Sequence, residues 1–577
     1  MSDQANSIPA GEKTILGHPR GLVILFFTEM WERFSYYGMR GLLIIYLTQH
    51  FLFSDERSAV LYGAYTALVY VMTIIGGSLA DRYLGSRKAV TFGAILLVLG
   101  HFGMSFEGTG SKEIITYANS DYQVTLEGRG GEAIPIIVNG DAVSNYQFIN
   151  DGQQIEIQNP EVVGLPKTIN TSDFTTRIEH QKTYKDILYL SLALIIAGVG
   201  FLKANISTMV GALYNVGDIR RDSGFTLFYM GINLGAFLAS LLCGYLGITY
   251  GWKYGFGLAG IGMLLGLITF LSFQSWLEGR AEPPNPAKLK EKFLGPINYE
   301  WMCYLIGLAI IVVAMFFVRN PDTAGQILLP LGIAMFAWLL FYAFTKTENT
   351  VERDKMLAAI YFVLAQIPFW ALFEQAGSSL NLFTDRLVDK TMFGWTVPAP
   401  MFQSLNAMFI FIFAPLFAWL WIWLAKRNMN PSSPVKFAFG VFMAGLGFLV
   451  LVAGMKMSGI DGKTAVMFIF LIYLVHTLGE LFLSPIGLSA VTKMAPARVV
   501  GMAMGAWFLY SGLSNYLAGL IARTTGAETL GGKLTNVAAA KASYAEVYTN
   551  VAYWAMGIAA LMLLVSPVIK KWMHDAD

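Results

Sequence analysis

Apolar runs of about twenty residues, separated by short polar or basic turns, recur along nearly the whole chain. A helix rising about 1.5 Å per residue needs that length to cross the roughly 30 Å hydrocarbon core of a bilayer. The pattern predicts about fourteen transmembrane helices, near 21–51, 58–80, 88–107, 187–210, 224–247, 253–275, 298–318, 326–345, 356–381, 400–425, 435–455, 464–492, 500–523 and 547–570. One stretch breaks the pattern. Residues 108–186 alternate apolar and polar positions in "YQVTLEG", "IPIIVNGDAV" and "QQIEIQ", with Asn-Gly, Asp-Gly and Asn-Pro turns between them, which predicts a small β-rich insertion outside the membrane.

Lys and Arg resist translocation, so their placement in short loops orients the chain. With a cytoplasmic N-terminus, Arg82, Arg87, Lys88, Arg220, Arg221, Lys288, Lys290, Lys292, Arg353, Lys355, Lys426, Arg427, Lys493 and Arg498 fall in inner loops. An even number of spans returns Lys570 and Lys571 to the same side. Basic turns that end "GGSLADRYLGSRK" and "LWIWLAKRNMNPSSPVK" occupy corresponding places in two halves, which points to two bundles of six helices with an extra hairpin between them. The expected organisation is a cytoplasmic segment 1–20, helices one to three over 21–107, the periplasmic insertion 108–186, helices four to six over 187–275, a cytoplasmic linker 276–297, the hairpin 298–345, a C-terminal six-helix bundle 346–570 and a cytoplasmic tail 571–577.

Composition agrees: 55% of residues are hydrophobic and 14% charged, as in a polytopic membrane protein whose partner is a lipid bilayer. A net charge of +2, with no basic block interleaved with aromatics, gives no reason to expect a nucleic-acid partner. Residues 1–20 lack the apolar core of a secretory signal, so the first apolar run is expected to stay as a helix. Cys243 and Cys303 lie in apolar segments without a disulfide or metal-ligand spacing and are expected to be packing residues.

The first span is unusual in carrying Glu29, Glu32, Arg33 and Arg40. An ionisable group near the bilayer centre costs about 2.5–3.5 kcal/mol on insertion scales, so several on one helix must face protein or water and find partners. Glu29, Glu32, Arg33, Tyr36, Tyr37 and Arg40 recur at helical spacing and share one face. Lys203, Glu374 and Glu480 are isolated charges in later spans. Arg40 and Lys203 make the first half basic where Glu374 and Glu480 make the second acidic, and Tyr70, Asn233, Trp370, Asn406, Ser484 and Trp507 complete a candidate cavity between them. Such a cavity suits a small zwitterion, with a carboxylate at Arg40 or Lys203 and an ammonium at Glu480. In the empty protein the pairs Arg40–Glu374 and Lys203–Glu480 are expected to gate it. A buried carboxylate couples this to protons. One proton moving down roughly 100 mV and one pH unit supports concentration ratios on the order of a hundredfold.

"EMWERFSYYG" at 29–38 is similar to the ExxER signature of the proton-coupled oligopeptide transporters, and "FYMGINLGA" at 228–236 resembles that family's second signature. "GFLKANIS", "FWALFEQ" and "GELFLSPIGLS" look like its cavity helices. The resemblance implies an all-α major facilitator fold of fourteen helices, two of them an inserted hairpin, importing di- and tripeptides with protons across a plasma membrane of the bacterial inner-membrane type. It implies that Glu29, Glu32 and Arg33 couple protons, and that Tyr36, Tyr37, Arg40, Tyr70, Lys203, Asn233, Asn406, Glu480 and Ser484 line the peptide site. Trp370 and Trp507 would shape side-chain pockets, and Glu374 would be the gate partner of Arg40. Protons serve as the coupling ion, with no cofactor and no metal. Phe373 stands where some bacterial members carry a second acid, and compact members have no β-rich insertion.

Enzymatic chemistry finds no support. In "GIDGKT" the first glycine of a phosphate loop would fall at Met457, and neither HExxH nor a nucleophile elbow occurs. His476, one turn before Glu480, reads as a satisfied core histidine. The alternatives to peptide symport are proton-coupled symport of another small anion or zwitterion, such as nitrate or an amino acid, and a peptide sensor that does not transport.

Overall fold

In the computed structural model, residues 13–128, 133–215, 217–459 and 462–574 are described. The expected N-terminal segment and C-terminal tail therefore lie partly outside the described residues. Among the described residues, fourteen helices of 20 residues or more follow in order: α1 Gly21–Gln49, α2 Asp55–Leu79, α3 Gly85–Met104, α4 Lys182–Ala212, α5 Arg220–Thr249, α6 Trp252–Ser272, α7 Tyr299–Arg319, α8 Pro321–Thr345, α9 Thr350–Phe373, α10 Ser404–Lys426, α11 Ser433–Met457, α12 Met467–Met494, α13 Val500–Thr524 and α14 Val537–Met573. By length and apolarity alone, 11 helical segments qualify as membrane spans, Asp55–Met104 counting as one. Neither α1 nor α13 is among them, because both spend apolar positions on charged, Ser, Asn, Gly and Tyr residues that face the interior.

Each expected span corresponds to one of these helices, with two notable shifts. The last helix begins at Val537, ahead of the expected 547, because "VAAAKASYAE" is a good helix former and Asn536 caps it, accepting the Ala539 N–H at 2.8 Å. The ninth ends at Phe373, where Glu374–Gly377 tightens into a 3-10 turn before a short helix at Ser379–Leu387.

Two apolar cores match the two halves. One joins α1 to α7, with Leu42, Leu97, Phe201 and Phe256 at its centre; the other is built from α8 to α14 with one face of α2 and includes Phe362, Phe437, Phe448 and Tyr548. Helices α1, α5 and α6 pack together, as do α3 and α4, and α11, α12 and α14. The halves meet where α2 lies on α13 and α5 on α10. In the hairpin, α7 packs on α4 while α8 lies against α2, α9 and α13, and Tyr510 donates its hydroxyl hydrogen to Gly332 O at 2.7 Å.

The insertion is a seven-stranded antiparallel sheet of β1 Lys112–Tyr117, β2 Ser120–Glu127, β3 Ile134–Asn139, β4 Ala142–Ile149, β5 Gln154–Ile157, β6 Thr168–Asn170 and β7 Phe174–Glu179. Its order is β6-β5-β4-β3-β2-β1-β7. Alternation puts Ile115, Val124, Ile137, Tyr146, Ile155 and Ile157 on one buried face.

The two halves are closed at the end that carries the insertion. Arg386 grips Asp55 with two hydrogen bonds of 2.6 and 2.8 Å, Gln49 donates to Asp385 at 2.9 Å, and Asn381 donates to Gly41 O at 2.8 Å. Along α2 and α13 the backbones touch: a Cβ on Gly63 would sit 2.8 Å from Gly519 Cα, and one on Gly512 would sit 2.9 Å from Ala67 O. Further along α13, Gly505 and Gly501 face open space. Seven-residue spacing keeps Gly519, Gly512 and Gly505 near one face, so the helices diverge from a sealed end towards an open one. Gly63→Val is expected to force the sealed end apart at a cost of about 1–3 kcal/mol. A lowered thermal unfolding midpoint in detergent checks this, whereas an unchanged midpoint shows that the seam tolerates the bulk.

Candidate functional site

Helix α1 brings its charges to the interior as its spacing predicts. Arg33 Nε donates to Glu29 Oε1 at 2.7 Å and lies 2.9 Å from Glu32 Oε2, and both carboxylates are buried. A single Nε–H serves only one of them, so among the described residues neither oxygen of Glu32 receives a hydrogen bond. Two turns on, Arg40 crosses to the other half. It forms an ion pair with Glu374, its Nε donates to Tyr62 OH at 2.6 Å, and its guanidinium lies 5.8 and 5.9 Å from the Tyr37 and Tyr62 ring centres.

A cavity of about 180 Å³ opens beside this pair. Of the residues expected to line it, Tyr37, Arg40, Tyr70, Asn233, Trp370, Glu374, Asn406 and Glu480 do so. Asn406 donates to Glu480 Oε2 at 2.9 Å and to Thr477 Oγ1 at 3.1 Å, fixing the carboxylate on the α12 wall. The amide of Asn233 is turned back to Tyr229 O at 3.0 Å. The cavity is shut towards the insertion and more open towards the far end: Arg40 is 8% exposed, whereas Tyr229, one turn before Asn233 on the same α5 wall, is 43% exposed.

Four expected residues are placed differently. Lys203 stands behind Tyr70, its Nζ 3.7 Å from the ring centre, and reaches the cavity through that ring. Tyr36 is packed edge-on against Tyr37 within the α1 core. Ser484 has a buried hydroxyl with no hydrogen-bond partner among the described residues. Trp507 sits over Gly487 at the α12–α13 contact, where its carbonyl accepts a hydrogen bond from Gln366 at 3.2 Å. The expected pairing of Lys203 with Glu480 is corrected as well. Only Arg40–Glu374 is made, Lys203 being held by an aromatic face and Glu480 by an amide. His476 is back-bonded to Ala444 O at 3.0 Å, as a core histidine, yet it also lines the cavity.

Tyr62, Tyr229, Ser240, Gln403 and Tyr473 were not anticipated as site residues, although most had a signal. Tyr62, Thr66 and Tyr70 recur every four residues on α2, Tyr229, Asn233 and Ser240 share a stripe on α5, and Tyr473, Thr477 and Glu480 share one on α12. The periodicity that exposed the charged face of α1 reveals these uncharged ones too.

Two bundles around a central polar cavity, closed at one end, define a multi-pass membrane transporter of the major facilitator type. The chain belongs to the POT family, whose model matches residues 87–537. It is 33% identical to the uncharacterized transporter YclF of Bacillus subtilis, over 98% of this chain and 97% of that one. It is 32% identical to the peptide transporter YePEPT of Yersinia enterocolitica, over 90% of each. Among solved structures it resembles a peptide transporter POT in complex with sulfate, with a TM-score of 0.73 and 30% identity over 99% of this chain and 98% of that one. It also resembles a POT family transporter in complex with 5-aminolevulinic acid, with a TM-score of 0.72 and 27% identity over 97% of this chain and 98% of that one.

Removing one partner of a buried ion pair leaves an uncompensated charge and costs about 3–5 kcal/mol, whereas replacing both with apolar residues is often neutral. Arg40→Met and Glu374→Leu are each expected to lower the thermal midpoint more than the double variant does. Additive losses, measured by thermal unfolding of the four proteins, would show that the two side chains do not depend on each other.

Proposed function

We propose that this chain is a proton-driven symporter that imports di- and tripeptides by alternating access, seated in a bacterial inner membrane with both termini in the cytoplasm. The observation that carries the reading is Glu480, a buried carboxylate on the cavity wall that is held by the Asn406 amide and, among the described residues, pairs with no cation. It offers a counter-ion to a substrate ammonium. Lys203, likewise without a carboxylate partner among the described residues, offers the opposite charge through the Tyr70 wall. An extended dipeptide, about 7 Å long, carries both charges, one at each end. The peptide-transporting relative YePEPT supports the substrate class.

Proton coupling is assigned to the cluster of Glu29, Glu32 and Arg33. Among the described residues Glu32 accepts no hydrogen bond and is held only by its ion pair with Arg33, so protonating it gives up that pair and losing the proton restores it. The Arg40–Glu374 pair closes the insertion end, and opening that end requires its separation. A second reading, symport of another small zwitterion, is favoured by the relative that binds 5-aminolevulinic acid, which also carries an amine and a carboxylate.

The deciding experiment is reconstitution in liposomes under an imposed pH gradient, with labelled dialanine competed by alanine, trialanine, nitrate and 5-aminolevulinate. Gradient-dependent accumulation, competed by trialanine and not by nitrate, is expected. Displacement by 5-aminolevulinate without displacement by trialanine would favour the second reading. Lys203→Ala is expected to abolish gradient-driven uptake, and undiminished accumulation would remove Lys203 from the mechanism. Glu32→Gln should impair accumulation more than counterflow exchange; equal loss of both would remove its separate role in coupling.

A further inference from the structure

The insertion belongs by chain connection to the N-terminal half, yet its apolar core is completed by a residue from the C-terminal half. Leu530, 4% exposed, packs with Ile115, Val124, Tyr146 and their neighbours in the sheet. It lies in a small hairpin, Thr529–Leu530 with Lys533–Leu534, between α13 and α14. The hairpin turns at Gly531 and Gly532, whose φ values of +59° and +80° suit glycine and let the tip enter the insertion. Three hydrogen bonds fasten it. Gly531 N–H donates to Glu113 Oε2 at 2.6 Å, Tyr146 OH donates to Leu530 O at 3.2 Å, and Asn536 donates to Asp151 O at 2.7 Å. The fit is close: a Cβ on Gly152 would lie 2.6 Å from Thr535 O.

The other side of the insertion is fixed to its own half. Ser111 N–H donates to His50 O at 2.8 Å, and His50 Nε2 bonds to Glu107 O at 2.8 Å. Glu107 in turn accepts the Lys253 N–H at 3.0 Å. These contacts tie the root to the end of α1 and the start of α6. The insertion is therefore carried by the N-terminal bundle and grips the C-terminal one, at the end where the bundles are already closed.

We propose that the insertion is a latch, which holds the insertion end of the transporter shut by seating the Leu530–Gly531 hairpin in its core and must release that hairpin each time this end opens. This rests on the alternating-access reading above. A sheet that merely shields the loop would swing with the C-terminal bundle; its anchored root argues against that. The latch favours the conformation closed at its end and slows exit from it, whatever the substrate.

Two measurements on the full chain test this. In the first, Asp151→Cys with Asn536→Cys is reconstituted and oxidised, with crosslinking confirmed by mobility; the native Cys243 and Cys303 are buried. Dialanine uptake present in the reduced protein should be lost on oxidation and restored by reductant. Equal uptake by the crosslinked and reduced forms would overturn the latch. In the second, Ala59→Cys, buried in the α2–α13 seam, reports opening by its reaction with a membrane-impermeant maleimide. Leu530→Asp should speed that reaction by about tenfold, equivalent to ~1.4 kcal/mol, and Leu530→Met should not. An unchanged rate in Leu530→Asp overturns the proposal. Because the maleimide readout involves no peptide, a failure of dialanine uptake in every form would count against the substrate assignment and leave this measurement to judge the latch.

Discussion

A charge placed in a low-dielectric interior must be met by another group, and Arg40 is where this constraint shapes the molecule most. To hold its guanidinium the fold brings Tyr62 from α2 and Glu374 from beyond α9 into contact with α1, so a single side chain on the first helix ties the two halves together. Local structure follows from that demand. Helix α9 stops at Phe373, the chain tightens into Glu374–Gly377, and Gly377 is needed because the Tyr62 hydroxyl occupies the space of a Cβ. The seam between α2 and α13 is then drawn close enough for Gly63 and Gly519 to meet backbone to backbone.

The same constraint explains why one cross-bundle pair is made while its counterpart is not. Buried ion pairs are weak net stabilisers because desolvation consumes most of the Coulombic gain. A pair that is nearly neutral in free energy can be exchanged for others, as the proposed alternating access requires. With Arg40 and Glu374 engaged, Lys203 settles on the face of Tyr70 and Glu480 on the amide of Asn406. Both substitutes are weaker than a full counter-charge and can yield to a ligand that supplies one.

Much of this was legible in the sequence because bilayers impose a length and helices impose a period. Fourteen long helices, the alternating insertion and the charged face of α1 follow from those two rules, applied to residues such as Glu29, Arg33 and Arg40. What sequence reasoning missed has a common cause. Tyr62 and Tyr229 are uncharged, so burying them signals nothing by itself, and their stripes emerge only when polar and aromatic positions are counted with the charges. The assumption that opposite charges at related positions pair in the same state failed for Lys203 and Glu480, because pairing depends on which end is closed and no periodicity encodes that. The docking of Leu530 was also illegible: a leucine in a short loop after α13 has no neighbour within its own segment to pack against, and its partners lie some four hundred positions earlier in the chain.

Two elements outside the two six-helix bundles converge on α13. From within the membrane, α8 lies along it, with Gly332 O accepting from Tyr510, Gly325 pressed against the Tyr516 ring and Asp322 meeting Arg523 at 3.4 Å. From beyond the membrane, the β insertion takes hold of the hairpin that follows it. Between these grips α13 approaches α2 at backbone distance, with Gly512 and Gly519 at the closed end and open space at Gly505 and Gly501. Backbones that approach this closely leave no room for a larger side chain between them. Contacts that oppose its parting therefore sit on its flanks, on α8 and the insertion, in addition to the Arg386–Asp55 and Arg40–Glu374 pairs that cross between the halves.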